Sequence, residues 1–210
     1  MTVATLVGLT GGIAAGKSTV ARALAGHGAR IVDGDAAARA VVDPTTADGA
    51  ALLAGIDALL GGGVLAPDGG LDRAAVGARV FADAELRRRY DALLRPAILD
   101  EVAARIAEAV ASPGVVVHEI PLLSRRTAPL PWTYDLVVTV EAAEDVRLRR
   151  LREDRGHDHA EAEQRLRAQG EEADRVAVAD VVLRTDGTLD DTLAAAAALW
   201  EQLSAARPRR

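Results

Sequence analysis

The chain has 210 residues, a net charge of −6, 50% apolar residues, only 2% aromatics and no cysteine. That length fits one domain, or one domain carrying an insertion, around an aliphatic Ala/Leu/Val core. Disulfides, thiol catalysis and Cys-zinc sites are excluded, the acidity argues against a bulk nucleic-acid binder, and no apolar run approaches the ~20 residues of a membrane span.

The N-terminus lacks a basic region followed by a long apolar core, so no signal peptide is expected and the expected location is cytoplasmic. Residues 3–9, VATLVGL, are an apolar run without helical period, followed at once by glycines, which predicts a buried strand. KSTVARALA from Lys17 to Ala25 reads as a helix ended by Gly26 and Gly28. Ile31 and Val32 form a second short strand, and Ala36 to Val42 reads as a helix stopped by Pro44. Residues 45–111 hold no convincing strand. They carry Gly61-Gly62-Gly63, a turn at Pro67-Asp68-Gly69-Gly70, a helix from Leu71 with Val76, Val80 and Phe81 on one face, and a helix from Pro96 with Ile98, Val102, Ile106 and Val110. Such a stretch is too long for a loop and reads as a helical insertion.

Val115–Val117 is a third buried strand, ending in His118-Glu119-Ile120-Pro121. Asp135–Val140 is a fourth. Glu144 to Gln169 is charged and helical, broken at Arg155-Gly156. Ala179–Leu183 is a fifth strand, Leu189–Leu203 a final amphipathic helix, and the ARPRR tail is expected to fray. Apolar strands alternating with helices predict an α/β fold with a parallel sheet covered on both faces.

The first strand runs into Gly11-Gly12-Ile13-Ala14-Ala15-Gly16-Lys17-Ser18, which fits G-x-x-x-x-G-K-[ST] with the strand before it and the helix after it that a phosphate-binding P-loop requires. Glycine conformations turn backbone N–H groups around a phosphate, and the helix adds its N-terminal partial charge. Lys17 then reaches the β and γ phosphates of a nucleotide and Ser18 a Mg²⁺ ion. No base-reading Asn-Lys-x-Asp motif of a GTPase occurs, and the chain is short for a motor ATPase. A mid-chain helical insertion and a late Arg-rich segment point to a small-molecule kinase.

Ligands of open α/β sheets bind beyond the carboxyl ends of the strands. Asp33 and Asp35 stand just beyond strand two. Either they supply the carboxylate that orients an acceptor hydroxyl and takes its proton, or Asp35 caps the following helix while Asp33 closes a turn. Glu119 ends strand three, the position of an acid that holds Mg²⁺ or its waters. In RLRRLREDR (147–155), Arg147 and Arg150 share one helix face and Arg149 and Arg152 another, so one face suits a transferring phosphate. His157 and His159 flank Asp158, but Asp158-His159-Ala160-Glu161 is a capping-box variant and is read as a helix start, not a metal site.

Together these segments resemble the dephospho-CoA kinase family over roughly residues 5–200. GLTGGIAAGKSTVA, IVDGDAAARAVV, APDGGLDRAAVGARVF, IPLL, YDLVVTV, the Arg150 region, RAQ ending at Gln169 and AVADVVL follow in family order. The D-G-x-L-D-R stretch, Asp68 to Arg73, is far more specific than a P-loop. The resemblance implies a three-layer P-loop NTPase fold with a five-stranded parallel sheet. Its core would be residues 1–44 and 112–210, with a helical lid at about 144–170, and 45–111 would be a helical acceptor-binding insertion. It implies transfer of the ATP γ-phosphate to the ribose 3′-hydroxyl of dephospho-CoA, with Mg²⁺, no nucleic-acid or membrane partner, and a monomer or weak homo-oligomer.

By position, Asp35 would be the base and Asp33 a supporting carboxylate. Lys17 and Arg150 would stabilise the transferring phosphate, Arg155 would be a second lid arginine, and Gly11 through Thr19 would hold the nucleotide. Ser18 and Glu119 would hold Mg²⁺, and Arg39, Asp68, Arg73, Pro121 and Leu122 would join Asp35 on the acceptor. Three departures from the family pattern stand at Arg95-Pro96, Ser124-Arg125 and Thr185-Asp186-Gly187. The first two are expected on the acceptor side, the third on the adenine side, and all three away from the phosphate core. Two other readings stay open: another P-loop small-molecule kinase of shikimate or gluconate type, and a non-catalytic nucleotide- or CoA-binding paralogue.

Overall fold

A computed structural model describes residues 4–125, 127 and 129–205. Val3 and the ARPRR tail lie outside the described residues. Strands β1 (Ala4–Gly11), β2 (Arg30–Asp33), β3 (Gly114–Glu119), β4 (Leu136–Glu141) and β5 (Val181–Arg184) form one sheet in the order β2-β3-β1-β4-β5, with every pair parallel. Between them run α1 (Lys17–Gly26), α2 (Gly34–Ala40), α3 (Ala47–Leu59), α4 (Arg73–Ala82), α5 (Ala84–Val110), α6 (Glu144–Glu153), α7 (His159–Ala168) and α8 (Glu172–Val176), and α9 (Leu189–Ala205) is the last element among the described residues. Among the described residues no helix is long and apolar enough to cross a membrane.

The chain divides into two compact units, residues 1–34 with 105–210, and residues 35–104. In the first, Val7, Leu9, Val117, Val138 and Val140 from the sheet pack with Val20 and Leu24 of α1 and Leu199 and Leu203 of α9. Strands buried on both faces need no polar alternation, which is why they read as continuous apolar runs. In the second, Leu53 and Ile56 of α3, Val76 of α4, Leu94 of α5 and Val42, Leu60 and Val64 form a separate helical core.

Helix boundaries depart from the sequence reading where caps were overlooked. The helix expected to start at Pro96 starts at Ala84 and runs through Pro96. Asp83 Oδ1 accepts the N–H groups of Glu85 (2.8 Å) and Leu86 (3.0 Å), a strong start signal, and an internal proline removes only one donor from a long helix. Helix α3, not resolved within the insertion by sequence, is capped by Thr46, whose hydroxyl accepts from Gly49 N at 3.1 Å. Phe81, expected on the apolar face of α4, is 73% exposed and lies under the Arg87 guanidinium. The D-G-x-L-D-R motif has a local structural reason. Asp68 Oδ1 accepts from Gly70 N in a tight turn, Leu65 and Leu71 form an antiparallel bridge, and Asp72 caps α4 through Ala74 N and Ala75 N.

Asp35 does not cap its helix. Helix α2 begins at Gly34, so Asp35 sits inside its first turn. Gly34 is there because a Cβ would fall 2.9 Å from the Glu119 carbonyl oxygen and 3.3 Å from His118 Nε2. The glycine lets β2 end against β3 without a clash. Asp158 does cap: its carboxylate accepts from Glu161 N at 2.8 Å, as the motif predicts, while the Glu161 side chain turns to His157 and Arg165.

Candidate active site

The site is built at the carboxyl end of β1, in the unit that contains the whole sheet. Gly11 leaves the strand where a Cβ would lie 2.3 Å from the Val140 carbonyl oxygen, so no other residue fits. Ala14 has φ +58 and Gly16 φ +93, the left-handed conformations that fold the loop back on itself. For alanine that conformation costs about 1 kcal/mol, so the surroundings must enforce it. Ala15 N donates to Gly12 O at 3.0 Å within the loop. Gly16 caps α1, and the N–H groups of Lys17 and Ser18 in its first turn have no carbonyl one turn earlier to bond. They form the positive end of the helix.

Lys17 Nζ and Ser18 Oγ both meet Glu119 Oε1, at 2.7 and 2.9 Å. Their convergence follows from topology, since β3 pairs directly with β1 and Glu119 lies opposite Leu9. Asp33 lies opposite Glu119 on β2, so its carboxylate ends the neighbouring strand. The sequence candidates Lys17, Ser18, Glu119 and Asp33 are therefore brought to the carboxyl end of one sheet. Pro121 and Leu122 follow β3, and this loop is pinned where Leu123 N donates to Thr10 Oγ1 at 2.9 Å.

His118, one residue before Glu119, is buried. Burial, and then the nearby Lys17 charge, push its pKa down to about 4, so the imidazole is neutral. Its Nδ1 lies 2.7 Å from the Tyr134 hydroxyl, whose pKa burial pushes up to about 12, and Trp132 meets the ring edge-on.

On the other side of the loop, Arg150 Nη1 donates to Ala14 O (3.3 Å) and Nη2 to Thr185 O (2.6 Å). Thr185, expected on the adenine side and away from the phosphate core, lies against the P-loop. It is buried, and its hydroxyl donates to Ala15 O at 2.5 Å. A short hydroxyl can reach under the loop from the turn after β5, which the sequence pattern alone does not show. Arg149, Arg150, Arg155, Gly187 and Thr192 line an open cavity of about 450 Å³ that also touches Ala14, Gly16 and Thr19. Arg125 keeps its side chain exposed, while its N–H donates to Asp174 O at 3.1 Å.

Sequence reasoning assigned no role to the groups behind the loop. Glu141, at the end of β4, is fully buried and accepts two hydrogen bonds from the equally buried Arg175, both 2.8 Å, and one from Thr139 Oγ1 at 2.7 Å. A Cβ on Gly12 would lie 2.8 Å from Arg147 Nη1 and 3.2 Å from Arg175 Nη2. Gln169 Oε1 accepts the Ile13 N–H at 2.5 Å. A glutamate closing an apolar strand, in VVTVE, was the available signal for Glu141.

Residues 5–191 match the family model described as dephospho-CoA kinase. A dephospho-CoA kinase of Leifsonia xyli is 46% identical over 200 residues, covering 94% of this chain and 98% of that protein. One from Anaeromyxobacter dehalogenans is 43% identical over 208 residues, covering 98% of this chain and 95% of that protein. Among solved structures, TT1252 from Thermus thermophilus superposes with a TM-score of 0.77 at 28% identity, covering 96% of this chain and 98% of that one. The dephospho-CoA kinase from Campylobacter jejuni shares the fold at a TM-score of 0.62 and 17% identity, covering 95% and 97%. The chain belongs to the dephospho-CoA kinase family, whose members transfer phosphate from ATP to an alcohol group.

Proposed function

We propose that the chain transfers the γ-phosphate of ATP to the ribose 3′-hydroxyl of dephospho-CoA, giving CoA and ADP. The observation that carries the phosphate half of this reading is the meeting of Lys17 and Ser18 on Glu119 Oε1 beneath the P-loop. Phosphoryl transfer asks the protein for positioning and charge neutralisation more than for covalent chemistry. The backbone of Gly11 to Thr19 cradles the phosphates, and Lys17 supplies a positive charge with donors to spare beyond Glu119. Arg150 and Arg155 serve the nucleotide from the α6 side. The oxygen pair of Ser18 and Glu119 suits Mg²⁺, held directly or through water, which when bound would neutralise the β and γ phosphates.

Asp35 is assigned as the base for the acceptor hydroxyl, with Asp33 as a supporting carboxylate. The support is position: Asp33 ends β2 opposite Glu119, and Asp35 follows two residues later in the first turn of α2. Arg39, Asp68, Arg73, Pro121 and Leu122 are assigned to the acceptor, and residues 45–111 to an acceptor-binding insertion with a lid at about 144–170.

The test is turnover with dephospho-CoA, shikimate and gluconate offered in parallel, with ADP and CoA both measured. Stoichiometric CoA is expected from dephospho-CoA alone. Turnover of shikimate or gluconate without CoA formation would overturn the acceptor. Asp35→Asn is expected to lower kcat by about 10²–10⁴, the usual share of a general base, while ATP still binds. An unchanged rate would remove Asp35 from the chemistry.

A further inference from the structure

Gln169 is the residue at which α7 ends, and its side chain is bonded to the middle of the P-loop. The chain behind it is tied to a buried ion pair. It turns at Gly170, with φ +73, and the carbonyls of Gly170 and Glu171 each accept from Arg175 Nη1 at 3.4 Å. Arg175 is itself clamped on Glu141, and Glu141 ends β4, the strand that pairs with Gly11 at the start of the loop. A closed circuit results: β4, Glu141, Arg175, the Gly170 turn, Gln169, Ile13 and back to β1. A second contact runs alongside it, where Ile13 and Ala14 pack on Leu151 of α6 and on Ala162 and Leu166 of α7.

We propose that Gln169 is a positioning residue for the phosphate site, holding the Ile13 amide and thereby setting the curvature of the P-loop in register with α7. The strained backbone at Ala14 persists only if its neighbours over-determine it. The Gln169 carbonyl fixes the Gly12–Ile13 peptide, one residue before the strained Ala14, and Arg150 and Thr185 hold the carbonyls of Ala14 and Ala15. In this role it is the Gln169 carbonyl that matters, an acceptor bonded to the protein backbone and not to a phosphate. It acts through the Ile13 backbone. This inference rests on the nucleotide-binding reading of the P-loop and not on the identity of the acceptor.

The test replaces Gln169 with Met, similar in length but lacking the strong acceptor, and with Glu, which keeps an oxygen there. Hydrogen exchange of the Ile13 amide and calorimetric binding of ATP to the full chain are read together with melting temperature. In Gln169→Met the Ile13 amide is expected to exchange faster and the Kd for ATP to rise about tenfold, the scale of one hydrogen bond. Gln169→Glu is expected to restore slow exchange at neutral pH. Unchanged ATP affinity in Gln169→Met would overturn the proposal, even with a lowered melting temperature, since Gln169 would then be only the end of a helix. So would an Ile13 amide equally protected in Met and wild type. Direct ATP binding keeps the outcome separate from the acceptor question: failure to phosphorylate dephospho-CoA would leave this measurement intact.

Discussion

Two glutamates flank the P-loop, each at the end of a strand that pairs with β1, and they are used in opposite ways. Glu141 is sealed. Its two oxygens are taken by a bidentate guanidinium and a hydroxyl, and neither it nor Arg175 has any exposure. Glu119 remains partly open to solvent, meets Lys17 and Ser18 through Oε1 alone, and leaves Oε2 outside that pair. A saturated, buried pair cannot exchange partners without paying its full desolvation, so it fixes geometry. A partly open contact on one oxygen can be traded for a phosphate or a cation. The same residue type at the ends of two strands that pair with β1 is thus a bolt on one side and, on the other, the carboxylate proposed to work with Mg²⁺.

The largest effect is expected on the sealed side. Arg175→Met leaves Glu141 buried and uncompensated and is expected to cost about 3–5 kcal/mol of unfolding free energy. Urea denaturation measures it. A loss below about 1 kcal/mol would mean that Glu141 finds another cation or water, and the contrast between the two sides would collapse.

How much of this could be read in the sequence follows the same division. The P-loop and the places of Asp33 and Glu119 were legible because glycines and charges directly after short apolar runs mark strand ends in a parallel sheet. The parallel sheet was legible from runs such as VVV and DLVVTV. The bolt was not. Arg175 and Glu141 are 34 residues apart, with a helix pair between them, and each alone reads as one more surface charge. Thr185 was set apart from the phosphate core because its contact with Ala15 joins positions 170 residues apart. The start of α5 was missed because the helix-breaking reputation of Pro96 outweighed the cap at Asp83. Gln169 was visible in the family pattern, yet a lone amide at a helix end gives no sign of its acceptor role.

The next effect lies on the working side and depends on pH. His118 is held neutral, with its pKa about 4 when folded against 6.5 ordinarily. Above pH 6.5 neither state is protonated and His118 contributes no pH dependence. As pH falls from 6.5 to 4 the unfolded chain gains a proton that the folded chain refuses, so stability drops. The group's share of that drop is about 3 kcal/mol, levelling off below pH 4. His118→Gln is expected to flatten this limb in chemical denaturation measured across that window. Lys17→Met is expected to raise the His118 pKa by removing the nearby positive charge, read directly from the imidazole NMR titration. A steep limb surviving in His118→Gln would assign the acid sensitivity elsewhere.

The smallest effect on folding, and the sharpest separation of the two glutamates, is expected from Glu119→Gln. The amide oxygen still accepts from Lys17 and Ser18, so geometry is kept while the negative charge is lost. Unfolding free energy is expected to fall by only about 1 kcal/mol, as for an ion pair that remains hydrogen-bonded. Turnover should suffer far more. Without the carboxylate, the oxygen pair proposed for Mg²⁺ loses its charge, and kcat is expected to fall by about 100-fold, near 2.7 kcal/mol of transition-state stabilisation. Raising Mg²⁺ should recover part of that loss, whereas no concentration of Mg²⁺ should rescue Arg175→Met. If Glu119→Gln instead unfolded the chain as readily as Arg175→Met, both carboxylates would be bolts. The working group at the edge of the P-loop would then have to be sought on Asp33, the carboxylate that ends the next strand.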